Sequence, residues 1–229
     1  MTKNRDVTAD ATRVVNTAAD GGIAIFPVDV GYAIAGNAEA AIRKIYDAKK
    51  RSFSKPCGTF GNWDMFNAFI NVDDRARDVV RTVLFDYHLP LSIVAPFDAA
   101  HPFFSELAPW VIEYGTKDGT MDLLMNAGAL HDEIARQSFD RLTPVMGSSA
   151  NTSLMGSKFQ LDHVETPVRA VTDLELDYGL CKYPNDKGLG SSIIDLADYS
   201  TVRVGTVYDQ LRDIFSKHID IELSATARA

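Results

Sequence analysis

The stretch VTADATRVVNTAADGGIAIFPVDVGY, residues 7–32, holds a helix, a break and a strand in direct succession. In its first half Val7, Ala11, Val14, Val15 and Ala18 recur at helical spacing, which predicts an amphipathic helix over Val7–Ala19. Gly21-Gly22 end that pattern, because glycine takes the left-handed backbone that closes a helix. Ile23 to Phe26 then form a short apolar run stopped by Pro27, the signature of a buried strand. Pro27-Val28-Asp29-Val30-Gly31-Tyr32 reads as a strand end opening into a loop. That loop is either an ordinary Pro/Asp/Gly turn or a place where a scaffold presents ligand-binding groups.

Outward from this stretch, strands and helices interleave at irregular spacing. Asn37 is placed to cap a helix running to about Lys49, with Ile42, Ile45 and Tyr46 on its inner face. Residues near Asp73 to Phe85 predict another amphipathic helix, and Tyr208 to Ile214 a closing one. Leu91 to Ala95, Thr120 to Met125, Pro144 to Met146, Val168 to Thr172, Ser192 to Leu196 and Thr201 to Val204 read as strands. The regular βαβ rhythm of a doubly wound fold is missing, which leaves an α/β or α+β fold around one twisted, mixed sheet. No repeat or long linker divides the chain, so we expect a single domain over residues 1–229 with a frayed tail over about 223–229.

Composition narrows the function. The chain has 229 residues, 46% of them hydrophobic, enough for a full core. Lys plus Arg number 23 against 31 Asp plus Glu, a formal net charge of -8. Such a surface repels nucleic acid in general, so any phosphate site must be a local basic cluster. Cys57 and Cys181 lack ligand-like spacing and are expected as buried thiols. His88, His101, His131, His163 and His218 are scattered, so they are expected at surfaces or caps and no metal site is expected. The first residues, MTKNRDVTADATR, lack the apolar core of a signal peptide, and no apolar run spans a bilayer. A cytoplasmic location follows as the expectation.

Three further segments carry candidate chemistry. Lys49-Lys50-Arg51-Ser52-Phe53-Ser54-Lys55-Pro56 puts four cations directly after a helix. One or two would complement the helix dipole; four before a proline suggest a shaped phosphate loop. Gly147-Ser148-Ser149-Ala150-Asn151-Thr152-Ser153 offers small donors to phosphate or ribose, or is a plain solvent loop. Gly188-Leu189-Gly190-Ser191-Ser192-Ile193-Ile194-Asp195 leads glycines and serines into a strand, and Arg203-Val204-Gly205 ends the next. Walker, GxGxxG, HExxH and GxSxG motifs are all missing.

In their order and spacing these segments resemble the YrdC-like family of threonylcarbamoyl-adenylate synthases (YrdC, YciO and their relatives). PVDVGYAI stands where that family has a PTDTVYGL-type loop. Lys49-Lys50-Arg51 with Lys55-Pro56, Ser149-Ala150-Asn151, Ser191-Ser192-Ile193-Ile194-Asp195 and Arg203-Val204-Gly205 match its K-x-R with K-P, S-x-N, S-T strand and R-x-G. Pro90-Leu91-Ser92-Ile93 resembles its P-L-T-L strand, so the likeness spans about residues 21–205. Val28 and Val30 replace two threonines, Leu124 stands at the arginine of R-x-P, and the histidine after K-P is missing. The retained positions serve the ATP end of the family site and the lost ones its acceptor end.

The resemblance implies a largely parallel, partly antiparallel sheet flanked by helices around a concave basic cleft. It implies a nucleotidyltransferase that joins ATP, bicarbonate and L-threonine into threonylcarbamoyl-AMP and pyrophosphate, with Mg2+ as an expected companion of ATP. Lys49 and Arg51 would be catalytic. Lys49, Arg51, Lys55, Ser149, Asn151, Ser191, Ser192 and Arg203 would bind ATP, and Asp29, Val30 and Tyr32 the small substrate. It further implies tRNA processing, tRNA-modification proteins as partners and double-stranded RNA binding. Against the last stands the net acidity. Two alternatives remain at this point: the same fold with another carbamate or amino-acid acceptor, and a non-catalytic nucleotide- or RNA-binding paralogue.

Overall fold

A computed structural model describes residues 5–227; the first four residues and the last two, parts of the polar start and the expected tail, lie outside it. In chain order the elements are α1 (Val7–Ala19), β1 (Ala24–Val28), β2 (Gly31–Gly36), α2 (Glu39–Lys49), β3 (Gly58–Phe60), α3 (Trp63–Phe69) and α4 (Asp74–Arg81). There follow β4 (Leu91–Pro96), α5 (Pro109–Gly115), β5 (Thr116–Lys117), β6 (Thr120–Met125), α6 (Ala129–Asp140) and β7 (Met146–Ser149). The chain closes with α7 (Thr166–Arg169), β8 (Leu174–Glu175), β9 (Ile193–Asp195), β10 (Thr201–Arg203) and α8 (Tyr208–Ile219).

The strands pair into one open, mixed sheet in the order β10-β9-β4-β6-β3-β7-β2-β1-β8, with β5 paired beside β6. Among the described residues only β1–β8, β3–β6 and β4–β9 run parallel, so antiparallel pairing dominates where the resemblance implied parallel. The cause lies in the short connections: the two-residue turn Asp29-Val30 returns β2 directly against β1, with Val28 opposite Gly31. Gly31 sits at φ 134, a backbone side chains avoid, and a Cβ there would stand 3.2 Å from the Lys158 carbonyl.

Strand alternation sorts the sheet into two faces. Ile25, Tyr32 and Ile34 point into the larger core, built with Ile42 and Ile45 of α2, Phe66 of α3, Val79 of α4, Val111 of α5 and Leu211 of α8. Ala24, Phe26, Ala33 and Ala35 point the other way, under Val14 and Val15 of α1 and Ile134 of α6. This second layer stops at Phe60 and Leu124. Beyond them the same face is bare, and Ser92, Val94, Thr120 and Asp122 form the floor of a cleft.

Several sequence expectations shift. Asn37 does not cap α2; its N-cap is Ala38, which makes no side-chain cap bond. Val168–Thr172 is not a strand, since Pro167 sits in the first turn of the short helix α7 and the strand is β8, further on. The closing helix continues to Ile219, beyond Ile214. Leu223, placed in the frayed tail, is buried in the larger core. His131 is fully buried rather than at a surface or cap, Nδ1 lying 3.0 Å from Asp132 and Nε2 without a partner among the described residues. Both cysteines are buried and unpaired.

Candidate functional site

The cleft encloses about 860 Å3 on the sheet face that α1 and α6 leave uncovered. Three loops from distant parts of the chain close over it. The first, after α2, is fixed by its own cation: Arg51 donates through Nε to the Lys55 carbonyl at 3.1 Å and through Nη2 to the Pro56 carbonyl at 2.6 Å. Tyr46 donates to the same Lys55 carbonyl at 2.7 Å, and Phe53 stacks on the Tyr46 ring at 4.9 Å. The basic run is therefore a folded hook. Arg51 and Lys55 line the cleft while Lys50, at φ 51, terminates the helix outside it.

Lys49 lies beneath this hook, 1% exposed. Its Nζ donates to the Asn151 carbonyl at 2.5 Å and to that of Ser149. Burial, reinforced by the Arg51 charge, pulls its pKa down to about 7. Lys49 thus ties α2 to the second loop.

That second loop starts later than the sequence suggests. Gly147, Ser148 and Ser149 belong to β7, paired with Ala35, Ile34 and Ala33 of β2, and the chain leaves the sheet at Ala150. Ser153 donates its backbone N–H to the Lys49 carbonyl at 2.8 Å, and Glu165 accepts from the Thr152 N–H at 3.2 Å while pairing Lys158 at 3.0 Å. Asn151 Oδ1 and Ser153 Oγ are buried at the cleft wall with no partner among the described residues. Buried polar atoms left open this way suit a ligand that supplies the missing partners.

The third side is β9–β10. Arg203 donates through Nε to the Ser191 carbonyl at 2.8 Å and through Nη2 to Ser191 Oγ at 2.6 Å, which aims its guanidinium along the cleft. Ser192, one residue on, falls on the other face: its hydroxyl donates to the Thr206 carbonyl at 2.8 Å, and it does not line the cleft.

Of the expected nucleotide set, Lys49, Arg51, Lys55, Ser149, Asn151, Ser191 and Arg203 line one cleft, and Ser192 does not. At the acceptor end only Val30 is placed simply. Asp29 turns away, its carboxylate 3.5 Å from Lys182 Nζ and its pKa raised by burial. Tyr32 lines the cleft, and its hydroxyl, donating to Asp177 at 2.9 Å and accepting from the Tyr178 N–H at 3.2 Å, is anchored away from it. Ser92, Lys117, Asp122 and Ser157 also line the cleft and are not among the residues the sequence singles out; Thr59, expected there as a neighbour able to replace lost polar contacts, lines it too. For Asp122 a signal existed: within a strand Thr120, Asp122 and Leu124 share a face, so a charged middle residue marks that face as open.

Among the described residues no three His, Cys, Asp or Glu side chains gather as a cation cage. No helix of the described residues is long and apolar enough to cross a membrane.

The family model Sua5/YciO/YrdC, described as telomere recombination, matches residues 16–205. The chain belongs to the Sua5/YciO/YrdC family. It is 26% identical over 191 residues to a Methanocaldococcus jannaschii protein carrying the provisional name threonylcarbamoyl-AMP synthase, covering 81% of this chain and 79% of that one. The structure of P. abyssi Sua5 complexed with L-threonine is similar at TM-score 0.71 and 20% identity, over 95% of this chain. The chain spans 59% of that Sua5's length. A hypothetical protein of Streptococcus mutans is similar at TM-score 0.74 and 14% identity, over 95% of this chain and 94% of its own. At such identities the two structures support the Sua5/YciO/YrdC fold and nothing finer.

Proposed function

We propose that this chain is an adenylate-forming enzyme, a nucleotidyltransferase that activates the carbamate of a small amine-bearing acceptor with ATP, and that residues 1–229 act as one domain. The observation that carries this reading is the convergence of Arg51, Lys55 and Arg203 with Ser149, Asn151 and Ser191 on one cleft. Cations and small donors at that density suit a triphosphate, Arg as a planar fork and Lys as a point charge. The amine and bicarbonate condense to a carbamate with loss of water. A carbamate oxygen then bonds to the α-phosphorus of ATP as the bond to the β-phosphate oxygen breaks and pyrophosphate leaves. Such a displacement needs positioning and charge neutralisation rather than a protein nucleophile. Arg51, Lys55 and Arg203 neutralise the triphosphate. Lys49, locked onto two carbonyls, acts by holding the Ser149–Asn151 loop rather than by touching the reacting atoms. Asn151 Oδ1 and Ser153 Oγ supply open hydrogen-bonding positions. With no cage of three acidic, histidine or cysteine side chains among the described residues, magnesium would enter with the ATP phosphates and retain several of its waters.

Threonine, present in the P. abyssi Sua5 structure and part of the M. jannaschii relative's name, is the reference acceptor of this reading; tRNA-modification proteins as downstream partners and a cytoplasmic location belong to the same proposal. The test is pyrophosphate release at saturating ATP and bicarbonate with threonine, serine, other amino acids and no acceptor. Acceptor-dependent release supports the reading. Firm ATP binding with no release from any acceptor would leave a nucleotide-binding, non-catalytic protein.

A further inference from the structure

The cleft is basic with one exception. Lys49, Arg51, Lys55, Lys117 and Arg203 line it, and Asp122 is the single acid among the lining residues described. It is placed by β6, whose alternation sets Thr120, Asp122 and Leu124 side by side on the floor. Its Oδ1 accepts the hydroxyl of Ser92 from the neighbouring strand β4. The charges of Arg203 and Arg51 both bear on it, yet no ion pair between Asp122 and either is found among the described residues. No hydrogen bond to Oδ2 is found among the described residues. That oxygen lies beside Gly58, where a Cβ would stand 3.3 Å from it, so the absence of a side chain on β3 keeps the approach open.

An anion that needs only to be neutralised would be paired with a guanidinium; this one is held by a single hydroxyl and turns an unused oxygen to the cavity. Burial raises its pKa, so its charge is under-solvated and gains most from a charged donor. Next to it, Leu124 offers the same part of the floor only an apolar contact.

We propose that Asp122 is a specificity-determining residue that receives an ammonium group of the acceptor, so that the acceptor is a diamino compound, such as a diamino acid, rather than a hydroxy amino acid. The inference rests on the reading of the cleft as a carbamate-forming site. One amine condenses with bicarbonate, losing water and its positive charge; the second stays protonated and donates to Asp122 Oδ2. Threonine, whose single amine becomes the carbamate, has no charged donor left for that oxygen.

Two measurements separate this inference from the reading beneath it. The first is KM and kcat for pyrophosphate release with diaminobutyrate, ornithine, serine and threonine, in the wild type and in Asp122→Asn. The second is calorimetric binding of diaminobutyrate and threonine to both proteins, which needs no turnover. We expect diaminobutyrate to be preferred by the wild type. Asp122→Asn should raise its KM and Kd about tenfold to a hundredfold, the loss of one charge-assisted hydrogen bond, and leave those of threonine unchanged or lower. Diaminobutyrate binding that depends on Asp122 without pyrophosphate release overturns the enzymatic reading but sustains the amine site. Threonine-selective release that Asp122→Asn does not alter overturns the amine site and sustains the enzymatic reading. A variant whose acceptor ranking is unchanged while its magnesium requirement rises also overturns it, and makes Asp122 a cation ligand.

Discussion

Arg51→Ala separates a phosphate-binding hook from a helix end that merely carries charge. Arg51 spends Nε and Nη2 on the carbonyls of Lys55 and Pro56, which bend residues 51–56 back toward the cleft. Its guanidinium is only partly buried and lines the cleft, so the variant loses one cleft cation and two loop ties together. The cation is worth about 1.5–3 kcal/mol to a bound triphosphate, a charge-assisted hydrogen bond at a site between water and the interior. That corresponds to ATP binding weaker by roughly tenfold to a hundredfold. The two loop bonds are part-exposed and contribute about 0.5–1.5 kcal/mol each to folding. Arg51→Lys keeps the charge without the fork, so it should recover part of the affinity and little of the stability. Lys44→Ala, on the outer face of α2, removes a cation outside the cleft and serves as the control. The assay is calorimetry with ATP and magnesium for all four proteins, at two salt concentrations. Equal affinities for Arg51→Ala, Lys44→Ala and wild type would refute the reasoning, and with it the nucleotide assignment of the cleft.

Two stability predictions follow from the packing. Lys49 has its pKa lowered from 10.5 to about 7 on folding, so between those values the unfolded chain binds more protons and stability rises with pH. Below about pH 7 the residue is charged in both states and the full cost of burying it is present. Lys49→Met should flatten that slope, the wild-type-minus-variant difference growing from pH 7 to pH 9 by up to about 1.4 kcal/mol per pH unit in urea titrations; parallel curves would show an ammonium held unperturbed by its two carbonyls. Gly147→Ala would set a Cβ 2.0 Å from the Ile34 carbonyl, inside the β2–β7 ladder. Forcing that ladder apart should cost about 1–3 kcal/mol or more and lower Tm by roughly 2–12 °C, and an unchanged melting curve would contradict the close pairing.

The elements legible in the sequence were those whose burial follows one period. Helix α1 was read to the residue because Ala11, Val14, Val15 and Ala18 are all small and apolar on one stripe. Helix α6 escaped because its buried side includes His131, Gln137 and Ser138, which break the apolar stripe, and Gly128 before it provides no side-chain cap. Strand β2, GYAIAG, is buried on both faces and begins directly after a two-residue turn, so it shows neither alternation nor a long break. The serines of β7 resemble loop residues because polar side chains ordinarily mark exposed backbone, whereas here the strand borders a cleft.

The same distinction explains why the two ends of the site differed in legibility. Phosphate-suited residues cluster in short runs, because one loop can present several donors to one phosphate chain, and Lys49 to Lys55 or Ser149 to Asn151 stand out on composition alone. The part of the cleft proposed for the acceptor draws one or two residues from each of several segments, Val30 from the turn before β2, Phe60 from β3, Ser92 from β4 and Asp122 and Leu124 from β6, none of which is unusual in its own neighbourhood. Their meaning depends on register: Ser92 lies opposite Leu124 and Val94 opposite Asp122, and only that stagger brings the Ser92 hydroxyl to the Asp122 carboxyl. Register was the quantity the sequence left open, so the charge on the cleft floor became visible only once the strands were paired. On the reading proposed above, that acid among the cleft's cations is the group an acceptor ammonium answers, and a side chain set by register alone carries the specificity.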